Sequence, residues 1–471
     1  MMTGTLASNM MYIVFLVFFG YFILLMLFYF FLVLVGFTEG KKRYWESEEE
    51  NYPFVYFSSA NIPVSIIMPA RNEEAWIRDS VLSALNLNYP EFEIVIVDDG
   101  STDRTFDILD EILELRPIDM PYIKHYPDGK VRQIFKSTKH PNVTVVRKYA
   151  GTKKAGAVNA GMNLAKYNYI CPIDADTILE PDSVLKVMAH VAKDPERIIG
   201  IGSYFGLSNG LKIKGGRVIE KSFSYNPFIA YQNLEYIHSF IGKRIGWSKF
   251  NAMPIVAGGF GIWRRDVIYE LGGFSVDFSC EDIELTFRAH DYMARNKEKG
   301  YRIVMLPYYV AWTEGPQNLR SLISQRSRWQ RVTNETVWTY KYMLFNPKYK
   351  GFGFLVLPYF IIYEVLGAYF ELLSIIMVLI GWLSGLLDTG TFLAFLIFMI
   401  LLQCLFSLSA LFAFVRSQRL FRLRYLCYMI MLSMTEFFWY KWIISIAKLL
   451  GTFDYLRKVK TFNQYSRIQR T

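Results

Sequence analysis

Apolar positions along this chain fall into three regimes: one long unbroken run near the start, short runs alternating with helical periods in the middle, and long runs again towards the end. From Met11 to Phe37 no residue is charged, and a helix of that length rises roughly 40 Å, against about 30 Å for a hydrocarbon core. The pattern predicts a transmembrane helix within residues 1–40. A cleaved signal peptide would want a basic start, a shorter apolar stretch and a small-residue cleavage site, whereas Met1 to Met10 carry no Lys or Arg. Lys41-Lys42-Arg43 follow the run, so the positive-inside rule puts the N-terminus outside and the next part in the cytoplasm.

From Val64 the period changes. Val64 to Ala70 reads as a strand, and Asn72 with Glu73-Glu74 opens a helix with acids where its dipole favours them. A second strand, Glu93 to Val97, runs into Asp98-Asp99-Gly100-Ser101-Thr102-Asp103, with a helix through Leu115 behind it. Between Leu115 and Asn142 lies an irregular stretch containing Pro117, Pro121, Pro127, Gly129 and Pro141. It is long for a connection in a compact domain and reads as a surface excursion or lid. Val143 to Lys148 is a third strand, and Tyr167 to Ile173 an apolar one ending in Asp174-Ala175-Asp176. Such alternation to about Phe205 predicts an α/β fold with a doubly wound, mostly parallel sheet. Tyr301 to Pro307 adds a strand.

After Gly351 the chain is apolar over Phe352 to Leu387, Thr391 to Val415 and Tyr425 to Leu450. The last two are each long enough to cross once; the first is overlong and holds Pro358, Glu364 and Glu371, and the third holds Glu436 and Lys441. Ionisable groups at membrane depth usually face a protein interior or a polar pathway. Three crossings would leave the basic tail, with Arg457, Lys458, Lys460, Arg467 and Arg470, outside, against the positive-inside rule. A hairpin in the first segment or an interfacial last one removes the conflict. The predicted organisation is a helix at 1–40, an aqueous domain at 60–332, an interfacial segment at 333–352, a membrane region at 353–450 and a basic tail at 451–471.

Composition agrees with this division. Hydrophobic residues make up 52% and aromatics 17%, too much for an ordinary soluble enzyme, while 20% charged residues require an aqueous part. The net charge of +10 is spread out and flanks apolar segments, as orientation signals do, and argues against nucleic acid. Cys171, Cys280, Cys404 and Cys427 lie far apart without C-x-x-C spacing, suggesting neither zinc site nor disulfide framework. The five histidines share no metal-ligand spacing.

Ligands in open α/β sheets collect beyond the carboxyl ends of strands. Pro69-Ala70-Arg71-Asn72, Asp98-Asp99 and Asp174-Ala175-Asp176 all follow strands and are expected to line one crevice. Alternation points Asp174 and Asp176 to the same side, which invites a divalent cation such as Mg2+; the competing reading is a cap for the helix beginning near Pro181. Gly151-Thr152-Lys153-Lys154 at a helix mouth suits a phosphate, or is simply solvated. Ile255 to Gly261 strings together small residues where a ligand can approach the backbone. Glu281-Asp282 heads a helix, either compensating its dipole or presenting a base to the crevice. Gln325-Arg326-Ser327-Arg328-Trp329 reads as a basic face at lipid headgroups or as a grip on pyrophosphate and sugar.

In order and combination, Asp98-Asp99-Gly100-Ser101, Lys154-Ala155-Gly156-Ala157-Val158-Asn159, Asp174-Ala175-Asp176, Glu281-Asp282 and Gln325-x-x-Arg328-Trp329 resemble the membrane-integrated family 2 glycosyltransferases, which include cellulose, hyaluronan, chitin-oligosaccharide and poly-N-acetylglucosamine synthases. The resemblance runs from about Val64 to the membrane segments. It implies a GT-A nucleotide-sugar-binding fold, with Asp98, Asp99, Lys154, Asp174, Gln325 and Arg328 on the donor, and Pro69, Arg71, Glu73 and Asn159 beside them. It further implies Asp282 as general base next to Glu281, Gly258, Gly259, Phe260 and Trp329 at the acceptor, and Mg2+ or Mn2+ on Asp176 with Asp174. Where several synthases have threonine before the Glu-Asp pair, this chain has Cys280.

The implied function is inverting, metal-dependent transfer from a nucleotide-diphosphate sugar, a UDP-sugar by expectation, to a growing β-linked polysaccharide, with the catalytic domain cytoplasmic in a multi-pass membrane protein. The alternative is a single addition to a lipid carrier or glycolipid, and a third reading is a silent nucleotide-sensing scaffold. The expected partners are the nucleotide sugar, a glycan or lipid-linked acceptor and the bilayer, with room for an accessory export subunit and no nucleic acid.

Overall fold

A computed structural model describes residues 2–58, 61–151, 153–418 and 423–459. Lys460, Arg467 and Arg470 of the basic tail and the middle of the 416–424 stretch lie outside the described residues. Among the described residues the chain forms two compact units: Glu39–Ser224 with Trp247–Gly315, and the segment up to Thr38 with Tyr225–Gly246 and residues 316–459.

The first of these is built on a ten-stranded sheet. Its strands are β1 Val64–Ala70, β2 Phe92–Asp98, β3 Leu115–Ile118, β4 Val131–Ser137, β5 Val143–Lys148, β6 Tyr169–Pro172, β7 Ile178–Leu179, β8 Ile198–Leu207, β11 Gly261–Arg264 and β12 Arg302–Thr313. A separate hairpin joins β9 Lys212–Lys214 to β10 Arg217–Glu220. The order is β3-β4-β5-β2-β1-β6-β11-β8-β12-β7. β5, β2, β1 and β6 are mutually parallel, and β8 runs parallel to β12. Only β4, β11 and β7 run against the rest.

The parallel core follows from composition. Ile66, Ile67 and Met68 of β1 and Ile94 to Val97 of β2 are fully buried, the near-continuous apolar reading expected of strands covered on both faces. Register then aligns their ends: Ala70 pairs with Asp98, Asp98 with Arg147, and Ile67 with Pro172. The loops after all four strands therefore open on one edge.

Three local expectations need correction. The helix after β1 begins at Ile77 rather than at Asn72, because Asn72 takes a left-handed φ of 57° and turns the chain first. The stretch from Leu115 to Asn142 is no free lid: it supplies the antiparallel strands β3 and β4. Pro117 is tolerated there because β3 is the edge strand, where a missing N–H costs no ladder bond. The helix near Pro181 starts at Ser183 behind Asp182, so neither Asp174 nor Asp176 caps it.

The other unit is helical. Phe18, Phe22, Phe395, Met399 and Leu402 share one apolar core. Asn9–Glu48 and Thr389–Ser409 are long and apolar enough to cross a membrane, and Phe352–Val365 with Gly367–Leu383 forms a third such stretch bent by 46°. The bend falls inside the overlong first apolar segment, 352–387, for which a hairpin is one of the expected arrangements. The expected crossing over 425–450 is instead two helices, Leu423–Thr435 and Tyr440–Leu456, broken around Glu436–Phe438. Glu436 is buried at this break and accepts a hydrogen bond from Ser407 at 2.7 Å. The helices Leu319–Thr339 and Tyr440–Leu456 cross at Gly451, where a Cβ would lie 2.2 Å from the Ser327 carbonyl.

Candidate active site

The loops after β1, β2 and β5 are stitched together by backbone and short polar side chains. Asp99 N–H donates to the Ala70 carbonyl at 2.9 Å. Asn72 N–H donates to Ser101 Oγ at 3.1 Å, and Asn72 Oδ1 accepts from Thr102 N–H at 2.9 Å. Gly100 sits at φ 72° with Ala150 so near that a Cβ would approach its nitrogen to 2.5 Å; only glycine combines that φ with that clearance. Asp98 is buried, accepts from Ser101 N–H at 2.9 Å and faces Arg147 Nε at 3.4 Å. Asp99 is buried against Lys148 Nζ at 2.8 Å. Lys148 was not singled out from the sequence, although its position as the last residue of β5, level with the Asp98-Asp99 turn, was available. Around this group Pro69 and Glu73 are half-buried and Arg71 is exposed.

A second cluster lies beyond β6. Lys154, first residue of the helix Lys154–Leu164, places Nζ 2.6 Å from Asp174 Oδ1, 2.7 Å from Glu281 Oε1 and 3.4 Å from the Gly258 carbonyl. Burial pulls the Lys154 ammonium down, but the two carboxylates outweigh it and hold it well above its ordinary range. Lys153 reaches the Asp277 and Phe278 carbonyls at 2.9 and 3.1 Å, fastening the loop that leads to Glu281.

The helix Glu281–Arg295 carries Glu281, Asp282 and Glu284 in its first turn, and its Cys280 cap makes no side-chain capping bond. Asp282 joins the helix to a neighbouring segment: Oδ2 accepts from Gly258 N–H at 3.0 Å and Oδ1 from Ile283 N–H, in its own first turn, at 2.8 Å. Burial and the neighbouring Glu281 raise its pKa, against the opposing pull of Lys154 and the two N–H groups. The absence of a side chain at Gly258 permits this contact, since a Cβ there would sit 3.1 Å from Lys154 Nζ and 3.2 Å from Glu281 Oε1. Gly259 and Phe260 are buried behind it, Gly259 against Phe205.

Lys154, Asp174, Gly258, Glu281 and Asp282 are thus brought together. Asp176 is buried and accepts from Thr313 Oγ1 at 3.4 Å. Among the described residues no three His, Cys, Asp or Glu side chains converge as a metal cage. Asp176, with Asp174 bridged to Lys154 two residues before it, supplies the hard carboxylate oxygens that would hold a divalent cation of the kind that fills its remaining positions with water and substrate phosphates. Asn159 does not face the crevice. It is fully buried, donating to the Pro127 and Phe274 carbonyls and accepting from Phe274 N–H, each at 2.8 Å, so its amide is spent on clamping two loops. Gln325, Arg328 and Trp329 belong to the helix Leu319–Thr339 of the helical unit. There Arg326 is buried, donates to Gln325 Oε1 at 2.9 Å, pairs with Glu235 and stacks over Trp329 at 4.2 Å.

A sheet of this order, with acids after β2 and β6 and a helix-borne carboxylate beside them, defines a GT-A glycosyltransferase. The fold is shared with a mannosyltransferase, PcManGT from Pyrobaculum calidifontis, whose structure holds GDP-Man and Mn2+ (TM-score 0.56, 16% identity, 93% of this chain and 100% of that one). Residues 65–272 match the profile of glycosyl transferase family 2, and residues 169–441 that of glycosyl transferase family group 2. The chain belongs to this family and is a glycosyltransferase. It is 28% identical over 329 residues to "Probable glycosyltransferase YdaM" of Bacillus subtilis, covering 69% of this chain and 68% of that protein. It is also 26% identical over 276 residues to the poly-beta-1,6-N-acetyl-D-glucosamine synthase of Staphylococcus epidermidis, covering 58% of this chain and 55% of that synthase.

Proposed function

We propose that this protein transfers a sugar from a nucleotide-diphosphate donor, a UDP-sugar in the first instance, to the end of a growing β-linked polysaccharide, with inversion and in repeated additions. The observation that carries the reading is Asp282, held by two N–H groups beside the Lys154 bridge at the open edge of the sheet. Asp282 accepts the proton of the acceptor hydroxyl as its oxygen bonds to the anomeric carbon. The bond from that carbon to the diphosphate breaks on the opposite face, and the electron pair leaves with the nucleotide. Lys154 meets the charge that gathers on the diphosphate, while Asp98 and Asp99 hold the nucleoside side. A Mg2+ or Mn2+ ion held by Asp176, with Asp174 on the nucleotide side, would supply further charge stabilisation. Pro69, Arg71 and Glu73 border the donor, and Gly258, Gly259 and Phe260 the acceptor. By resemblance, Gln325 and Arg328 serve the donor and Trp329 the acceptor sugar. In this reading the catalytic unit is cytoplasmic and the protein crosses the membrane several times.

Relatives named as poly-beta-1,6-N-acetyl-D-glucosamine synthases support polymerisation. A second reading, one sugar added to a lipid carrier, draws support from the helical unit, where a cavity of about 130 Å³ is lined by Glu235, Tyr363, Glu371, Glu436, Lys441 and Lys448. Membranes containing the protein, incubated with UDP-glucose, UDP-N-acetylglucosamine, UDP-glucuronate or GDP-mannose and Mg2+, decide between them by product size. A ladder of long products supports polymerisation, and one-sugar lipid products support the alternative. No transfer from any donor rejects both.

A further inference from the structure

We propose that Thr286 is a positioning residue of the transfer reaction, setting the Asp282 carboxylate against the acceptor-side segment Val256–Gly258; this rests on the reading of Asp282 as the base. Thr286 lies one helical turn beyond Asp282 and is completely buried. Its Oγ1 donates to the Asp282 carbonyl at 2.8 Å and accepts from Val256 N–H at 3.1 Å. Two residues further along that segment, Gly258 N–H donates to Asp282 Oδ2 at 3.0 Å. The segment is therefore tied to the first helical turn at two points, one through the hydroxyl of Thr286 and one through the reacting carboxylate itself.

This arrangement fixes which lone pairs of Asp282 are committed. Oδ2 is engaged by Gly258 N–H and Oδ1 by Ile283 N–H. A carboxylate offers about four acceptor sites, so each oxygen keeps one more for an incoming hydroxyl. The direction of those sites depends on where Gly258 stands, and Gly258 is held by the bond at Val256. A hydroxyl is required at position 286, since only it can donate to one backbone group while accepting from another. Valine has the same shape but leaves the Val256 N–H, itself buried, without that acceptor. Serine keeps both bonds. Threonine's bond back to the carbonyl four residues earlier is locally available to any helix; the bond from Val256 N–H gives it a task beyond the helix.

The test uses the full-length protein in membranes with the sugar nucleotide identified by the donor panel. Thr286→Val is expected to lower kcat by about 10²-fold, the usual scale of effect when a reacting group is misplaced by about 1 Å, with donor KM changed by no more than about two-fold. Thr286→Ser is expected to restore most of the rate. The groups facing Asp282 are Glu281 on its own helix, Lys154 from the helix Lys154–Leu164 and the N–H groups of Gly258 and Ile283, with Asp174 behind Lys154. Weakening the Gly258 bond removes a stabiliser of the carboxylate, so Thr286→Val also moves the acid limb of kcat/KM upward. Wild-type kcat and acid limb in Thr286→Val, or equal damage from Val and Ser, overturns the proposal. Retained transfer in Asp282→Asn alone rejects the base assignment instead, whatever Thr286 does.

Discussion

In the proposed reaction Asp282 takes the proton, and its surroundings set its pH behaviour. Because burial and Glu281 raise its pKa, transfer requiring the ionised carboxylate is lost as pH falls through a value above the ordinary carboxylate range. A kcat/KM profile is expected to show its acid limb there, and Asp282→Asn is expected to abolish transfer while donor binding persists in a nucleotide titration. A limb at the ordinary value of about 4 would contradict the effect of burial. Lys148 and Asp99 make the neighbouring case for stability. The pair is almost completely enclosed, and removing one member of a buried pair costs about 3–5 kcal/mol. Lys148→Met is expected to lower the thermal midpoint of the purified protein by several degrees, a larger effect than the exposed pair Arg78–Glu111 would give.

At the scale of elements, strand ends and helix starts carry the site, and one crossing fixes the helical unit. Gly451→Leu would drive a side chain into the Ser327 carbonyl; overpacking of this kind costs about 1–3 kcal/mol, read as lower yield of folded protein and an earlier melt in detergent. The strands of the parallel core were legible because both faces are covered and their apolar runs are continuous. The antiparallel β3 and β4 were not, since the edge strand β3 is interrupted by Pro117 and both strands are largely half-exposed, so neither carries such a run. Asn159 shows the same limit in a single side chain. The motif containing it was visible, but motif membership does not say whether an amide faces a ligand or the Pro127 and Phe274 backbone.

For the whole molecule, the proposed topology makes a labelling prediction. Cys280 is half-buried at the start of the helix that carries Asp282. In a Cys404→Ser/Cys427→Ser background, a membrane-impermeant maleimide is expected to leave intact cells unlabelled and to react only after permeabilisation. Labelling of intact cells would place the catalytic unit outside. Chelation of divalent cations is expected to stop transfer, and Mg2+ or Mn2+ to restore it; full activity in excess chelator would remove the metal from the reading.

Sequence by itself determined the long apolar helices that qualify as membrane spans, the central parallel strands and the residue types at their carboxyl ends. Those follow from hydrophobic period and from backbone rules that act within a few residues. Tertiary structure decided what no local rule reaches: that Lys154 bridges Asp174 and Glu281, that Asp282 meets the Gly258 backbone as well as the first turn of its own helix, and that the run over 425–450 breaks at a buried Glu436. Each of these depends on a partner many residues away, and only the packed chain chooses between a solvated charge and a paired one.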